Sequence, residues 1–369
     1  MVMVKLTVTT NPGIEDLVIE ELECLLKGYC KAIKPHPKFR GRVIVELDIN
    51  EKERNSLAKV FEILTQKATM INKIFLLLNE AKISKDRKGL EDIYELVYST
   101  NDIAKYITPQ TTFAIRAERV GAHDFTSIDI GRVAGDAVRK LVANIHKGEP
   151  APVNLDYPNV EIGVDVYDDL CSISLILTGD TSLHKRGYRV YDHPGALKPT
   201  LANAMLRLSK VKDGETLLDP MCGGGTIPIE AALHYNLSCI KCYDISPKHI
   251  RGAILNAISA NVEDKIEFRV QDARKLHEVL DEESIDVIVS NPPYGIRIGR
   301  KSIIDELYKD FILSAYKVLK KNGRITIITT EHKTVKRVIK EYNLRLRIVH
   351  ERTVSHGDLW PNIIVLSKV

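Results

Sequence analysis

The run Thr216-Leu-Leu-Asp219-Pro220-Met221-Cys222-Gly223-Gly224-Gly225-Thr226, continued by Ile-Pro-Ile-Glu-Ala-Ala-Leu-His to residue 234, decides the fold. A short apolar strand ends in an acid. A glycine turn follows, then an apolar segment of helical length. Reading outward, the unit repeats: strand Cys239–Asp244 and helix Pro247–Asn261, strand Ile266–Gln271 and a helix near Lys275–Leu280, strand Ile285–Ser290 and helix Ile303–Leu319. Strand Arg324–Thr329 and helix Lys333–Tyr342 come next, with two more strands at Leu344–Arg352 and Asn362–Leu366. Alternating apolar strands and helices predict a parallel sheet covered on both faces. Ligands of such sheets bind beyond the carboxyl ends of the strands.

Four consecutive strands end in polar groups there: Asp219, Asp244, Asp272 and Asn291. The glycines let backbone approach a ligand, because no Cβ intervenes. A dinucleotide site wants G-x-G-x-x-G, but Pro228 stands where the third glycine belongs. Asp219 before the turn would repel a pyrophosphate and suit an ammonium or sulfonium. Asp244 is placed to accept from a ribose diol and Asp272 from an adenine amine. S-adenosylmethionine is therefore expected rather than NAD.

The loop Asn291-Pro292-Pro293-Tyr294-Gly295 is the most specific feature. Two prolines remove two backbone donors and leave carbonyls as the free groups. The Asn291 side-chain oxygen and the Pro292 carbonyl can then accept both hydrogens of an exocyclic amine and turn its lone pair toward a methyl donor. Tyr294 offers a face on which a base can stack. The plainer alternative is a rigid loop with one part-buried tyrosine.

The first half reads differently. Strand Val4–Thr9, the turn Asn11-Pro12-Gly13, helix Ile14–Leu26, strand Gly41–Leu47 and helix Asn50–Thr65 are followed by strand Lys73–Asn79 and helix Gly89–Ile107. Strand Thr112–Glu118, helix Ile128–Ile145 and an antiparallel pair, Val160–Tyr167 and Cys171–Thr178, complete small α+β units. The 369 residues allow two or three domains, and 44% hydrophobic with 28% charged residues describes a soluble globular protein rather than a disordered chain. Lys+Arg 53 against Asp+Glu 49 is only mildly basic. Up to Val190 there are 26 basic and 27 acidic residues, and from Tyr191 on 27 and 22, so the basic excess lies in the second half. It gathers at Lys333, Lys336, Arg337, Lys340, Arg345, Arg347 and Arg352, and again at Arg297, Arg300 and Lys301. No apolar run spans a membrane and no signal peptide opens the chain, which predicts a cytoplasmic protein. Three glutamines only, Gln66, Gln110 and Gln271, with abundant Lys, Ile and Glu, lean toward a thermophilic source.

Cys24, Cys30, Cys171, Cys222, Cys239 and Cys242 give one CxxC, on a strand whose i and i+3 side chains point to opposite faces. Buried thiols are expected, with no metal site, since the histidines also lack metal spacing. His184 and Glu230 are read as structural. Trp360 stands either beside the base pocket or in the rim.

Asp219–Thr226, Asp244, Asp272 and Asn291–Gly295 together resemble the Rossmann-fold methyltransferases that modify exocyclic amines of bases. Thr181–Arg189 and His193–Ala202 resemble the segment ahead of that domain in RNA guanine-N2 methyltransferases. Asn11–Asp16, Phe113–Arg119 and Asp129–Gly135 resemble a ferredoxin-like domain joined to a THUMP domain. The resemblance covers essentially the whole chain and implies an α/β fold in four parts: a ferredoxin-like domain at 1–66, THUMP at 67–180, a linker and cofactor-lining segment at 181–200, and the Rossmann domain at 201–369. It implies a tRNA enzyme making N2-methylguanosine at position 6 of the acceptor stem. The position-10 enzyme usually carries Asp where Asn291 stands; the 23S rRNA enzymes share Asn-Pro-Pro-Tyr, and these remain the alternatives. An RNA-binding protein with a relic methyltransferase domain is the non-enzymatic one.

The expected cofactor set is Ala196, Leu197, Lys198, Pro199, Thr200, Asp219, Cys222, Gly223, Gly224, Gly225, Thr226, Asp244, Ile245, Asp272, Ala273 and Asn291, the first five through the family likeness. Asn291, Pro292, Pro293 and Tyr294 are the expected catalytic loop. Lys185, Arg186, Arg189, Lys333, Lys336 and Arg337 are candidate phosphate contacts, with a solvated face as the plainer reading of the last three. The expected partner is tRNA, with a monomer, no membrane and no obligate protein partner.

Overall fold

The computed structural model describes residues 2–49, 56–179, 181–193, 195–295 and 301–369. The start of the expected helix at Asn50 and the cations Arg297 and Arg300 lie outside the described residues. The chain divides into two compact units: 1–10 with 18–183, and 11–17 with 184–369.

In the first unit the elements are β1 (Val2–Thr9), α1 (Glu15–Leu25), β2 (Cys30–Pro35), β3 (Arg42–Ile49), α2 (Ser56–Lys67), β4 (Lys73–Lys82), α3 (Gly89–Ser99), β5 (Phe113–Val120), α4 (Ser127–His146), β6 (Val160–Tyr167) and β7 (Leu170–Ile176). One seven-stranded sheet runs β2-β3-β1-β4-β7-β6-β5. Only β5 and β6 are parallel, because α4 supplies the crossover between them; a tight turn with Asp168 at φ +51° makes β6 and β7 antiparallel. The segments expected as two N-terminal domains thus share a single sheet. Arg42 on β3 is buried within it, its guanidinium 2.5 Å from Asp165 and 2.6 Å from Glu118 and stacked 4.3 Å over Phe39. Helix α4 starts at a capping box in which Thr126 and Asp129 satisfy each other's backbone donors.

Two expectations need correcting here. Cys30–Pro35 is a strand that the sequence reading lacked: it is a charged edge strand with little alternation. The expected helix Gly89–Ile107 ends at Ser99 and gives way to a 3-10 turn at Asn101–Lys105, because the Thr100 hydroxyl bonds back to the Leu96 carbonyl at 2.7 Å and its backbone leaves the helical region.

The second unit carries α5 (Pro199–Leu208), β8 (Thr216–Asp219), α6 (Thr226–His234), β9 (Cys239–Asp244), α7 (Pro247–Ser259), β10 (Ile266–Val270), β11 (Ile285–Ser290), α8 (Lys301–Val318), β12 (Leu319–Thr329), α9 (His332–Glu341), β13 (Leu346–Thr353) and β14 (Asn362–Lys368). Its sheet order is β10-β9-β8-β11-β12-β14-β13. The first five strands are parallel, while β14 lies antiparallel between β12 and β13. The wholly parallel sheet expected from alternation is corrected on that edge. The connection from β13 to β14 is too short to hold a crossover helix, and a hairpin is what remains. Helix α5 is likewise additional; Lys198 is extended and Pro199 opens the first turn. The expected helix near Lys275 is a kinked 3-10 turn over Ala273–Glu278.

Apolar side chains of β8, β9, β11, β12 and β14 pack against α8 and α9, with Tyr243, Tyr308 and Phe311 fully buried among them. The Asn11–Leu17 segment belongs to this unit. Asn11 accepts from the Thr200 hydroxyl at 2.7 Å and donates to the Ser355 carbonyl at 3.0 Å. Asp16 makes a two-pronged pair with Arg352 at 2.6 and 2.8 Å. A Cβ at Gly13 would stand 2.4 Å from the Thr353 carbonyl oxygen, and only glycine fits that approach.

Candidate functional site

Strand β8 delivers Asp219 to the carboxyl edge of the sheet, where the chain turns through Gly223 at φ +53° and Gly225 at φ +79° into α6. At Gly225 a Cβ would be strained and would crowd Ala253 of α7 at 3.0 Å. The turn is held by its neighbour strand: the Gly223 N–H donates to Asp244 at 2.9 Å. Asp244 also accepts from the Ser246 N–H at 2.9 Å and from Nδ1 of His249 at 3.2 Å. Its carboxylate is therefore fixed in place by three donors before any ligand arrives.

A cavity that opens to solvent lies above the turn. Of the expected residues, Ala196, Leu197, Asp219, Cys222, Gly223, Gly224, Thr226 and Asn291 line it; His193, Gly195, Met221 and Ile227 are additional. Lys198, Pro199, Thr200, Gly225, Asp244, Ile245, Asp272 and Ala273 are not in that lining. Thr200 is buried on Asn11, Ala273 is in the core, Ile245 is exposed at the end of β9, and Asp272 is clamped by the Arg274 guanidinium at 2.6–3.0 Å. That Arg274 bond, aided by the backbone, holds the Asp272 carboxyl below its usual range.

Asp219 is 1% exposed and accepts from the Ser290 hydroxyl at 2.7 Å and the Met221 N–H at 3.2 Å. Burial pushes its carboxyl up to about 7, with no cation among the described residues to oppose it. A buried acid with no counter-ion among the described residues, at the mouth of a glycine turn, can receive a positively charged group. The thiols of Cys222 and Cys242 behind it are buried and raised, by burial first.

The Asn291–Gly295 loop leaves β11 beside this cavity. Nδ2 of Asn291 donates to the Gly195 carbonyl at 3.1 Å, and its Oδ1 accepts the Tyr294 hydroxyl at 2.8 Å. Pro292 is buried and Pro293 exposed. The Tyr308 hydroxyl reaches the Pro293 carbonyl at 3.4 Å and Thr329 at 2.6 Å, bracing the loop from below. Burial raises the Tyr294 phenol, which keeps its proton.

A strap over residues 184–193 leads to the cavity wall at His193, and its fastenings went unseen in the sequence. Glu230, fully buried on α6, accepts from the Tyr188 hydroxyl and from Asn203 at 2.6 Å each, and lies 3.4 Å from Arg186 and 3.3 Å from His234. Burial alone would raise this carboxyl, but His234, Arg186, Tyr188 and Asn203 together bring it below its usual value. Asn256 of α7 takes Tyr191 at both ends, accepting its N–H at 2.7 Å and donating to its carbonyl at 3.0 Å. Arg186 is thereby occupied inside the fold, while Arg189 meets Asp192 at 3.3 Å. On α9, Lys333, Lys336 and Arg337 are exposed, the last two paired with Glu351 and Asp305. Trp360 is half-exposed ahead of β14. Among the described residues no cluster of His, Cys, Asp and Glu could hold a metal, and no helix is long and apolar enough to cross a membrane.

Residues 186–362 match the RMKL-like methyltransferase domain model, and residues 87–176 match the THUMP domain model. A tRNA (guanine(6)-N2)-methyltransferase of Archaeoglobus fulgidus is 37% identical over 98% of this chain and 92% of its own length. One of Methanocaldococcus jannaschii is 36% identical over 98% and 99%. The crystal structure of TrmN from Thermus thermophilus superposes with a TM-score of 0.79 at 27% identity, covering 100% of both chains.

Proposed function

We propose the function from one premise: the chain belongs to the family of THUMP-bearing tRNA (guanine-N2)-methyltransferases. It methylates the exocyclic N2 amine of a guanine in tRNA with S-adenosylmethionine as donor, giving N2-methylguanosine. The guanine is at position 6 of the acceptor stem: relatives of that name align over nearly the whole chain, and Asn291 stands where the position-10 enzymes usually carry Asp.

The residues present fit the donor. Asp219 is a buried acid with no cation beside it among the described residues, and the Gly223 turn beneath the cavity brings backbone without a side chain to its floor. Asp219 would take the ammonium end, Asp244 the ribose and Asp272 the adenine amine, the last requiring Arg274 to yield. When bound, the donor supplies a methyl group already activated by its positive sulfur. The chain's own contribution is placement. Asn291 and the Pro292 carbonyl accept from the guanine amine and turn its lone pair out of the ring. Tyr294 stacks on the base, and stacking of about 1–3 kcal/mol offsets part of the few kcal/mol spent on leaving the stem.

The observation that carries this reading is that Asn291 and the Asp219–Gly224 turn line one cavity. The N-terminal segments 1–66 and 67–180 act as the ferredoxin-like and THUMP parts and present the tRNA. Lys185, Arg189 and the exposed face of α9 contact phosphates. The enzyme works as a cytoplasmic monomer.

Transfer of tritium from labelled S-adenosylmethionine to bulk tRNA and to rRNA tests it, followed by mass spectrometry of digested tRNA. Label in tRNA at guanine 6 is expected. Label confined to rRNA, or in neither, refutes the reading.

A further inference from the structure

We propose that His193 is a positioning residue for the methyl transfer: through Gly195 it holds the Asn291 side chain with its oxygen toward the base. This rests on the function proposed above and adds a residue to its machinery.

Nδ2 of Asn291 donates to the Gly195 carbonyl at 3.1 Å. A carbonyl only accepts, which fixes the amide's sense and sends Oδ1 the other way, to the Tyr294 side. The N–H of the same Gly195 donates to Nδ1 of His193 at 3.1 Å. A backbone N–H only donates, so Nδ1 is bare and the neutral ring carries its proton on Nε2. Asn291 is thus aligned by Gly195, and Gly195 by an imidazole that must be neutral. The imidazole is itself held. Its ring lies 3.5 Å from where a Gly223 Cβ would be, meets the edge of His249 with centroids 4.5 Å apart, and follows Tyr191, which Asn256 grips at both ends.

The charged and titratable groups facing the ring are His249 from α7, Asp244 from the end of β9 and Asp192 beside it. Burial first, and then His249, favour the neutral form, while the two carboxylates oppose them; the net effect is a ring that titrates below 6.5. Protonation would set Nδ1–H against the Gly195 N–H, break that bond and release Asn291.

The test compares wild type with His193→Phe, which has no acceptor, and His193→Asn, whose Oδ1 falls near the place of Nδ1. The readouts are kcat and KM on tRNA from about pH 5.5 to 8.5, a range that spans the ordinary titration of a histidine, S-adenosylmethionine affinity by calorimetry, and the ¹⁵N shifts of the wild-type imidazole. Expected are a bare Nδ1 at neutral pH and a kcat for the Phe variant lower on the order of 10²-fold, as for an Ångström-scale misplacement. Because His193 also lines the cavity, cofactor affinity should fall too, but by far less than kcat, the larger loss being one of orientation. The Asn variant should recover most of kcat and lose the wild type's acid limb. A protonated Nδ1, equal losses in both variants, or cofactor affinity falling in step with kcat overturns the assignment. A wild type that labels no RNA refutes the proposed function instead; the ring's tautomer is read without turnover.

Discussion

Tyr294 donates its hydroxyl to Oδ1 of Asn291 at 2.8 Å. The oxygen proposed to receive the guanine amine therefore already has a partner in its own loop. An amide oxygen has two lone pairs, and an incoming amine either shares it or displaces the phenol.

Tyr294→Phe keeps the ring and removes this bond. We expect kcat/KM on tRNA to stay within about threefold of wild type, since the face that stacks is retained. Tyr294→Ala should lose about 1–3 kcal/mol of stacking, roughly a 5- to 150-fold drop. Steady-state kinetics on one tRNA transcript decides; a Phe variant as poor as the Ala variant would show that the hydroxyl, not the face, matters.

Asn291→Ala removes both the acceptor and the anchor on Gly195. Turnover should fall on the order of 10²-fold or more, the scale of a lost catalytic hydrogen-bond group, while S-adenosylmethionine binding barely moves. Calorimetry beside single-turnover assays separates the two. Equal losses in both would place Asn291 in the cofactor seat.

Asp219 has a carboxyl raised from 3.8 to about 7 by burial. The folded protein holds this proton more tightly than the unfolded chain does. The contribution to stability is complete below pH 3.8 and declines as pH rises toward about 7, and above that the full penalty of a buried anion applies. Asp219→Asn should therefore raise the apo-protein's melting temperature by a few degrees at pH 8 and by clearly less at pH 5. Binding of a cationic ligand to the wild type near neutral pH should expel a proton, visible as a buffer-dependent heat. Parallel melting shifts at both pH values, or a heat indifferent to buffer, would count against it.

Glu230→Ala removes the buried carboxylate beside Arg186 and the acceptor of the Tyr188 hydroxyl, of one Asn203 N–H and of His234. A cost of about 3–5 kcal/mol is expected, measured by urea unfolding. Because this carboxyl lies below its usual 4.5, its stabilisation is present above that value and vanishes as pH falls through it, and the gap between variant and wild type should close in acid. A gap of the same size at pH 7 and in acid would contradict the hub.

Much of this architecture was legible in the chain, for reasons that are local. The βα alternation after Thr216, the glycine turn and the polar strand ends announce a carboxyl-edge site, because each is a short-range pattern. The antiparallel edge was legible only in hindsight: the 354–361 connection is short, but its brevity shows only once β13 and β14 are both placed. His193, Glu230 and Asn256 carry no such signal. Glu230 meets Tyr188 from 42 residues away and Asn256 meets Tyr191 from 65; only the fold makes them neighbours. Asp272 is the opposite case. Its partner Arg274 is two residues along, and an Asp-x-Arg pair could have been read as a clamp.

The short run from Asn11 to Leu17 has a practical consequence. It lies near the amino terminus yet supplies Asn11 to Thr200 and Ser355, and Asp16 to Arg352. A fragment begun at residue 184 would lack this piece of its own packing, with the buried Thr200 hydroxyl and both terminal nitrogens of Arg352 losing the partners it supplies. The catalytic half is not a detachable cassette. Gene fusions, domain swaps or truncation libraries that treat it as one must carry that heptapeptide along, or graft it back through a linker.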